Sequence, residues 1–319
     1  MTPKRYSPIL LATCSIPWTA DYEFDAPLFT RSVQQLAAEM TPHLYLFGTA
    51  GEGYAVTDRQ FQLITQTFRD ALPEGTVPMI GVISLSLGTL IERIEFSYSI
   101  GFRDFQISFP SWGALTDDEV DRFFAATCGA FPDCRFLHYN LPRTKKVLHG
   151  DDYARLAARH PNLVAIKMGG LDTSPLADIL NKAPALQCFF VEFGYAAMRD
   201  QYECGYIAAM AGGKPTWARE FHAARGDRLA AMLAEAIEAR DVLVKHVTVC
   251  GAHMDGAYDK MNLKLLAPDF PLRLLPPYTA PDDADFERLV AELPPSWLNE
   301  SSDHRRCPGP PASRFPKRQ

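Results

Sequence analysis

"HLYLFGTAGEGYAVTDRQFQLITQTF", His43 to Phe68, contains two different periodicities. His43 to Phe47 is a short β-rich apolar run. Thr57 and Gln60 then stand at capping-box spacing, and Phe61, Ile64 and Phe68 recur every three or four residues. Between them lie three glycines, a threonine and one glutamate. A strand, a glycine-rich turn and a capped amphipathic helix together form one β/α unit.

The unit repeats on both sides. Ile9 to Thr13 precedes a helical spacing of Phe29, Val33, Leu36, Ala37 and Met40. "VPMIGVI" from Val77 precedes Leu87, Leu90, Ile91 and Ile94. "DFQISF" from Asp104 precedes a second capping box, Thr116 and Glu119, with Val120, Phe123, Phe124 and Thr127 behind it. "CRFLHYN" from Cys134 leads to a helix near Asp151 to Arg159, and "LVAIKM" from Leu163 to one near Pro175 to Asn181. "QCFFVEF" from Gln187 is a seventh strand and "YIAAMAG" from Tyr206 a weaker eighth.

Strict alternation of strand and helix calls for parallel strands with crossover helices. Eight units in this length predict an α/β fold, a (β/α)8 TIM barrel over residues 1–225, rather than an open doubly wound sheet. "REFHAARGDRLAAMLAEAIEARDVLVKHV" from Arg219 is rich in Ala, Leu, Glu and Arg. It reads as the eighth barrel helix followed by an additional C-terminal helical bundle, residues 226–298, packed on the barrel. Residues 299–319 are polar, proline-rich and aperiodic, so a disordered tail is expected there.

Composition narrows the function classes. Of 319 residues, 47% are hydrophobic and 22% charged, which suits a globule rather than a disordered chain. A net charge of −6 recommends neither nucleic acid nor an anionic membrane as partner. No apolar run is long enough to span a bilayer. The N-terminal apolar stretch, broken by Thr13, Cys14 and Ser15, reads as a strand and not a signal peptide. Seven cysteines without a C-x-x-C pair read as reduced thiols in a cytoplasmic protein. Cys14, Cys134 and Cys188 fall within strands, as small apolar groups do.

In such barrels the chemistry sits at the C-terminal strand ends. Three of these carry unusual residues: "GTAGEG" after the second strand, Tyr139 in the fifth and Lys167 in the sixth. Lys167 extends a continuously apolar run, so it is expected to point into the barrel mouth. Burial disfavours an ammonium, freeing an amine that attacks a carbonyl to form a Schiff base. A lysine there also suits a plainer role, reaching solvent or pairing with a carboxylate. A phenol on the next strand, Tyr139, adds a proton relay beside the amine; alone it would read as core. The glycines at positions 48, 51 and 53 match neither the P-loop nor the dinucleotide pattern. Backbone amides and the Thr49 hydroxyl still make a nest for an anion, carboxylate as readily as phosphate. The eight histidines show no metal-ligand spacing, so no metal is expected.

"GTAGEG", "HYNLP" and "AIKMGG", in this order, resemble the dihydrodipicolinate synthase / N-acetylneuraminate lyase family. The similarity runs from about Tyr6 to Leu293. The resemblance implies a TIM barrel, often a tetramer, in which Lys167 forms an imine with pyruvate or another 2-oxo acid and Tyr139 shuttles protons. It places the substrate carboxylate on the Thr49 hydroxyl and the Ala50 amide, gives Glu52 a structural task, and requires no cofactor beyond the covalent imine. The implied partners are a small 2-oxo acid, an aldehyde and further copies of the chain, as a dimer or tetramer.

Three departures from the family pattern bear on substrate. Ala50 stands where a second hydroxyl residue is common. Trp112 occupies the place of a tyrosine that relays protons in dihydrodipicolinate synthases, and an indole has only an N–H to offer. Arg143 lies one place early for the arginine that holds a second carboxylate. These departures speak against dihydrodipicolinate synthase activity itself. Trp112 is similar to the hydratase-aldolase branch and favours an aromatic or apolar aldehyde. The expectation is a lyase of the aldolase type that cleaves or forms a C–C bond. Its alternatives are a 2-oxo acid dehydratase, a non-catalytic keto-acid-binding barrel and, with no ligand set behind it, a metal-dependent aldolase.

Overall fold

Eight short strands close on themselves in the computed structural model, which describes residues 2–169 and 174–298. They are β1 (Leu10–Cys14), β2 (His43–Leu46), β3 (Val77–Gly81), β4 (Asp104–Ile107), β5 (Arg135–Asn140), β6 (Leu163–Met168), β7 (Gln187–Phe190) and β8 (Cys204–Ala208). All neighbours are parallel, and β1 closes on β8 through Leu10 beside Tyr206, Leu11 beside Ile207 and Ala12 beside Ala208. The expected TIM barrel is therefore observed.

Helices α1 (Ala26–Glu39), α2 (Asp58–Ala71), α3 (Leu87–Ser99), α4 (Asp117–Phe124), α5 (Gly150–Arg159), α6 (Ser174–Lys182), α7 (Glu192–Met198) and α8 (Pro215–Ala223) return the chain from one strand to the next or follow the last. Both capping boxes form. Thr57 accepts from the Gln60 amide and Thr116 from the Glu119 amide, each such cap contributing about 1 kcal/mol. The carboxylates of α4 gather in its first turn, where the helix dipole favours them.

Side chains alternate along the strands into two cores. Outside, the strands pack on the helices through a large cluster that includes Leu46, Phe61, Ile80, Phe105 and Ile166. Inside, Tyr6, Leu11, Tyr45, Met79, Leu137, Ala165, Phe189 and Ile207 fill the barrel. Gly205 is required here, because a Cβ at that position would lie 2.3 Å from the Phe189 ring.

Several strand boundaries differ from the sequence expectation. The seventh strand ends at Phe190, and the "VEF" read as its end opens α7, with Glu192 in the first turn. The eighth strand starts two residues before Tyr206, at Cys204. Beyond α8 follow α9 (Gly226–Val249), α10 (Asp255–Leu266), α11 (Asp283–Glu292) and α12 (Pro295–Leu298). The stretch expected to be tail, 299–319, lies outside the described residues. Among the described residues no helix is long and apolar enough to cross a membrane. Cys14, Cys128, Cys134, Cys188, Cys204 and Cys250 are free thiols.

Candidate active site

Strand register brings the first two functional side chains together. Tyr139 of β5 is directly beside Lys167 of β6, and Leu137 beside Ala165 one layer below. Side chains paired this way in a parallel sheet leave it on the same face, here inward. Lys167 is 8% exposed, and its Nζ lies 4.2 Å from the Tyr139 ring centroid and 5.4 Å from that of Tyr45. Among the described residues it makes no hydrogen bond or ion pair. Beneath it the Tyr45 hydroxyl donates to Gln106, a contact that orients the ring. Burial raises the Tyr45 pKa well above the ordinary phenol value.

The loop after β2 reaches the same point. Thr49 and Ala50, both buried, line a cavity of about 410 Å³ with Tyr139 and Lys167. Neither the Thr49 hydroxyl nor the Ala50 amide has a hydrogen-bond partner among the described residues, so both donors are available to a ligand. The loop holds its shape by positive φ at Phe47 (61°) and Glu52 (52°). Such angles cost non-glycine residues free energy that the surroundings must supply. Phe47 stacks on Phe61 of α2 at 4.8 Å. Glu52 is fully buried and accepts from Trp18 Nε1 (2.8 Å), the Leu275 amide (2.7 Å) and Lys260 Nζ. It thus does the anchoring foreseen for it.

Trp112 and Arg143 line an adjoining cavity of about 330 Å³ and not the one that holds Lys167. The two spaces share Thr49. Trp112 is 84% exposed, and its backbone carbonyl accepts from Lys145 Nζ at 2.8 Å. The Arg143 guanidinium grips both carboxylate oxygens of Asp255, at 3.2 and 2.8 Å. That pair raises the arginine's pKa and occupies the fork expected to hold a substrate carboxylate.

The helices after the barrel supply the opposite wall, which the sequence reading did not foresee. Asp255, Tyr258, Asp259 and Asn262 of α10, with Arg240 of α9, line the Lys167 cavity. Their i, i+3, i+4, i+7 spacing was the available signal: a polar stripe on one helix face. Burial holds the Asp259 carboxyl well above the usual carboxylate range, with Asp255 and Glu192 adding to the effect and Lys167 opposing it. Burial likewise raises the Glu192 carboxyl, although Glu192 accepts from the Tyr206 hydroxyl and the Ala209 and Ala211 amides. Among the described residues no group of three or more His, Cys, Asp or Glu is placed to hold a metal ion.

The model of the Dihydrodipicolinate synthetase family matches residues 8–203. A 4-hydroxy-tetrahydrodipicolinate synthase of Exiguobacterium sibiricum is 25% identical over 169 residues, 53% of this chain and 57% of that protein. The chain thus spans little more than half the length of the first curated relatives it matches. A Bradyrhizobium sp. protein named "Probable 5-dehydro-4-deoxyglucarate dehydratase" is 25% identical over 314 residues, 92% of this chain and 95% of that one. Among solved structures, the N-acetylneuraminate lyase of Proteus mirabilis superposes with a TM-score of 0.78 at 14% identity, covering 92% of this chain and 98% of that one. A prophage protein of the dihydrodipicolinic acid synthase family from E. coli K12, solved with pyruvate, gives 0.79 at 16% identity, covering 89% and 96%. At such identities the structural likeness shows the fold alone.

Proposed function

Since the chain belongs to the Dihydrodipicolinate synthetase family, we propose that it is a Schiff-base lyase acting on pyruvate or a pyruvate-derived 2-oxo acid. The observation that carries this reading is the buried Lys167 amine, free of any ion pair among the described residues, in one cavity with Tyr139 and Thr49. Lys167 Nζ attacks the ketone carbon. Tyr139 passes the proton as the carbinolamine forms and then loses water to give the imine. The protonated imine accepts the electron pair of the C3–C4 bond as it breaks while the C4 hydroxyl gives its proton back to Tyr139, leaving an enamine and an aldehyde; condensation is the reverse. The Thr49 hydroxyl and the Ala50 amide hold the carboxylate and so fix the ketone against the amine. The chemistry needs no cofactor beyond the imine.

A 2-oxo acid dehydratase is the second reading. It shares the imine and differs in expelling water instead of an aldehyde, and the full-length alignment to the Bradyrhizobium protein favours it. An aromatic or apolar aldehyde, in either direction, would use the adjoining cavity, where Trp112 stands with Leu85 and Phe109. Assembly as a dimer or tetramer in the cytoplasm is part of the same proposal. The exposed Trp112 and Leu85 beside that cavity support assembly, and light scattering in solution tests it.

Borohydride reduction in the presence of pyruvate, followed by peptide mass mapping, tests the central claim. A reduced pyruvyl adduct on Lys167, absent from Lys167→Met, is expected. Pyruvate binding without any adduct, or an adduct on another lysine, would overturn it. Turnover of 2-oxo acids to aldehyde or to dehydrated product then separates lyase from dehydratase, and both from a barrel that only binds.

A further inference from the structure

Buried carboxylates with a structural task are held by partners in this molecule. Asp104 accepts from the Tyr6 hydroxyl and from Nε and Nη2 of Arg135. Glu52 accepts from Lys260, Trp18 and the Leu275 amide. Asp259 departs from this pattern. It stands on α10 in the wall of the cavity that holds Lys167, and its side chain makes no hydrogen bond or ion pair among the described residues. A carboxyl left open on a cavity wall is available to whatever the cavity binds.

Its neighbours in the cavity are less free to carry a proton. Asp255 is gripped by Arg143. Glu192 is fully buried, and one of its oxygens is taken by the Tyr206 hydroxyl and the Ala209 and Ala211 amides. Burial raises the Tyr258 pKa above the ordinary phenol value, so this hydroxyl keeps its proton. Tyr139 leaves the sheet beside Lys167, with the amine over its ring, where it serves the nitrogen and the departing carbinolamine oxygen. Asp259 meets the same space from the helix on the other wall.

An imine of pyruvate becomes an enamine by losing a proton from C3. That step needs a base near C3, and its reversal needs an acid in the same place. Burial, with Asp255 and Glu192, favours the neutral acid of Asp259, whereas the Lys167 cation favours its carboxylate. The protonated imine keeps that cation on Lys167. As the C3–H bond breaks, its electron pair becomes the C2–C3 double bond and the C=N pair returns to nitrogen. The proton passes to the Asp259 carboxylate. Cation and anion disappear together, so no net charge is created where burial makes charge costly.

We propose that Asp259 is a catalytic acid–base of this site, taking the C3 proton of the imine on Lys167 as the enamine forms and returning it as the enamine reverts. The assignment rests on imine formation at Lys167 as proposed above. It holds for lyase and dehydratase alike, because both pass through the enamine.

The test follows deuterium in the full-length protein. Protein and pyruvate are held in heavy water and trapped with borohydride at successive times. The mass of the Lys167 peptide is read after return to ordinary water, so that only carbon-bound deuterium counts. Absence of any adduct in the wild type would overturn the Schiff-base reading itself. Given an adduct, its methyl group is expected to take up deuterium in the wild type. Asp259→Asn should still form the adduct, with deuteration slowed at least about 10²-fold. Formate added to Asp259→Ala should restore part of the exchange, since an external carboxylate then replaces the missing one. Tyr139→Phe supplies a second arm: its adduct forms more slowly, but deuteration within the adduct should stay within about threefold of wild type. A wild-type adduct without methyl deuterium overturns the inference. So does Asp259→Asn exchange within about threefold of wild type, or exchange that collapses in Tyr139→Phe. Should the Asp259 variants fail to fold, the wild-type and Tyr139→Phe arms decide.

Discussion

Glu52 and Lys260, 208 positions apart, form an ion pair buried completely on both sides. Lys260 also donates to the Arg273 carbonyl and lies 5.9 Å from the Trp18 ring, and Glu52 takes two further hydrogen bonds. Burial pushes the Lys260 pKa down against the pull of Glu52. The pair joins the loop that carries Thr49 and Ala50 to the helix that forms the opposite wall of the cavity. Each side of the site is thereby held by the other.

Breaking that pair from one side strands a buried charge. Glu52→Gln keeps the shape and removes the charge, so the expected loss of stability is about 3–5 kcal/mol, read from urea unfolding. The double variant Glu52→Gln/Lys260→Met should lose less than the sum of the two single changes. Additive losses would show that the ion pair does not couple the loop to α10.

Lys167 and Tyr139 should fail differently. Lys167→Met removes the nucleophile and with it both turnover and borohydride trapping. Tyr139→Phe keeps the amine, so trapping by pyruvate persists at a lower rate while kcat falls about 10²–10⁴-fold, the usual worth of positioned proton transfer. Tyr139→Phe turnover within about twofold of wild type would remove the phenol from the mechanism.

Thr49→Val tests the carboxylate nest. It deletes a donor and keeps the volume. The concentration of 2-oxo acid that half-saturates trapping should rise about tenfold, consistent with one lost hydrogen bond to a charged group. No change in half-saturation would place the carboxylate elsewhere in the cavity.

Acid should destabilise the fold partly through His138. This imidazole is buried against Phe109 and Phe124, with Nδ1 2.7 Å from the Tyr153 hydroxyl. Burial pulls its pKa down from 6.5 to about 3. Between those values the unfolded chain binds a proton that the folded chain refuses, so stability is full above about pH 6.5 and falls as pH drops toward 3. The slope from this residue is at most about 1.4 kcal/mol per pH unit. Burial lowers His43, His160 and His222 in the same sense. His138→Gln should flatten the urea midpoint against pH by about one proton over that window; an unchanged slope would show that His138 accepts its proton in the folded state.

Packing inside the barrel offers a check independent of chemistry. Gly205→Ala would set its Cβ 2.3 Å from the Phe189 ring, and the expected cost is about 1–3 kcal/mol. Phe189→Leu in the same molecule should recover much of it. A thermal melt distinguishes this coupled result from two independent losses.

Much of the architecture was readable because parallel barrel strands, covered on both faces, leave unbroken apolar runs. "LVAIKM" announces itself in this way, and "DFQISF" by strict alternation of polar and apolar residues. The eighth strand begins two residues before its apolar pattern does, because Cys204 and Gly205 are small, and Gly205 is small to admit Phe189. The seventh ends earlier than its apolar pattern, because Val191 and Phe193 flank the first residue of α7. Glu192 is in fact buried and accepts from Tyr206 and two amides across the strand end. The lysine, tyrosine and threonine of the cavity were visible because each interrupts or ends an apolar run. The α10 stripe was not, since a polar helix face looks the same in sequence whether it meets water or a substrate cavity.

The ion pair between Glu52 and Lys260 also sets an order of events during translation. Strands β1 to β6 have left the ribosome long before Lys260 is made, yet Glu52 cannot shed its hydration without that cation. The loop after β2 therefore has its full set of partners only once the chain has grown past Leu275, whose amide is the last of the Glu52 partners to be synthesised. The anchors of that loop thus lie 208 and 223 positions beyond Glu52 in the chain.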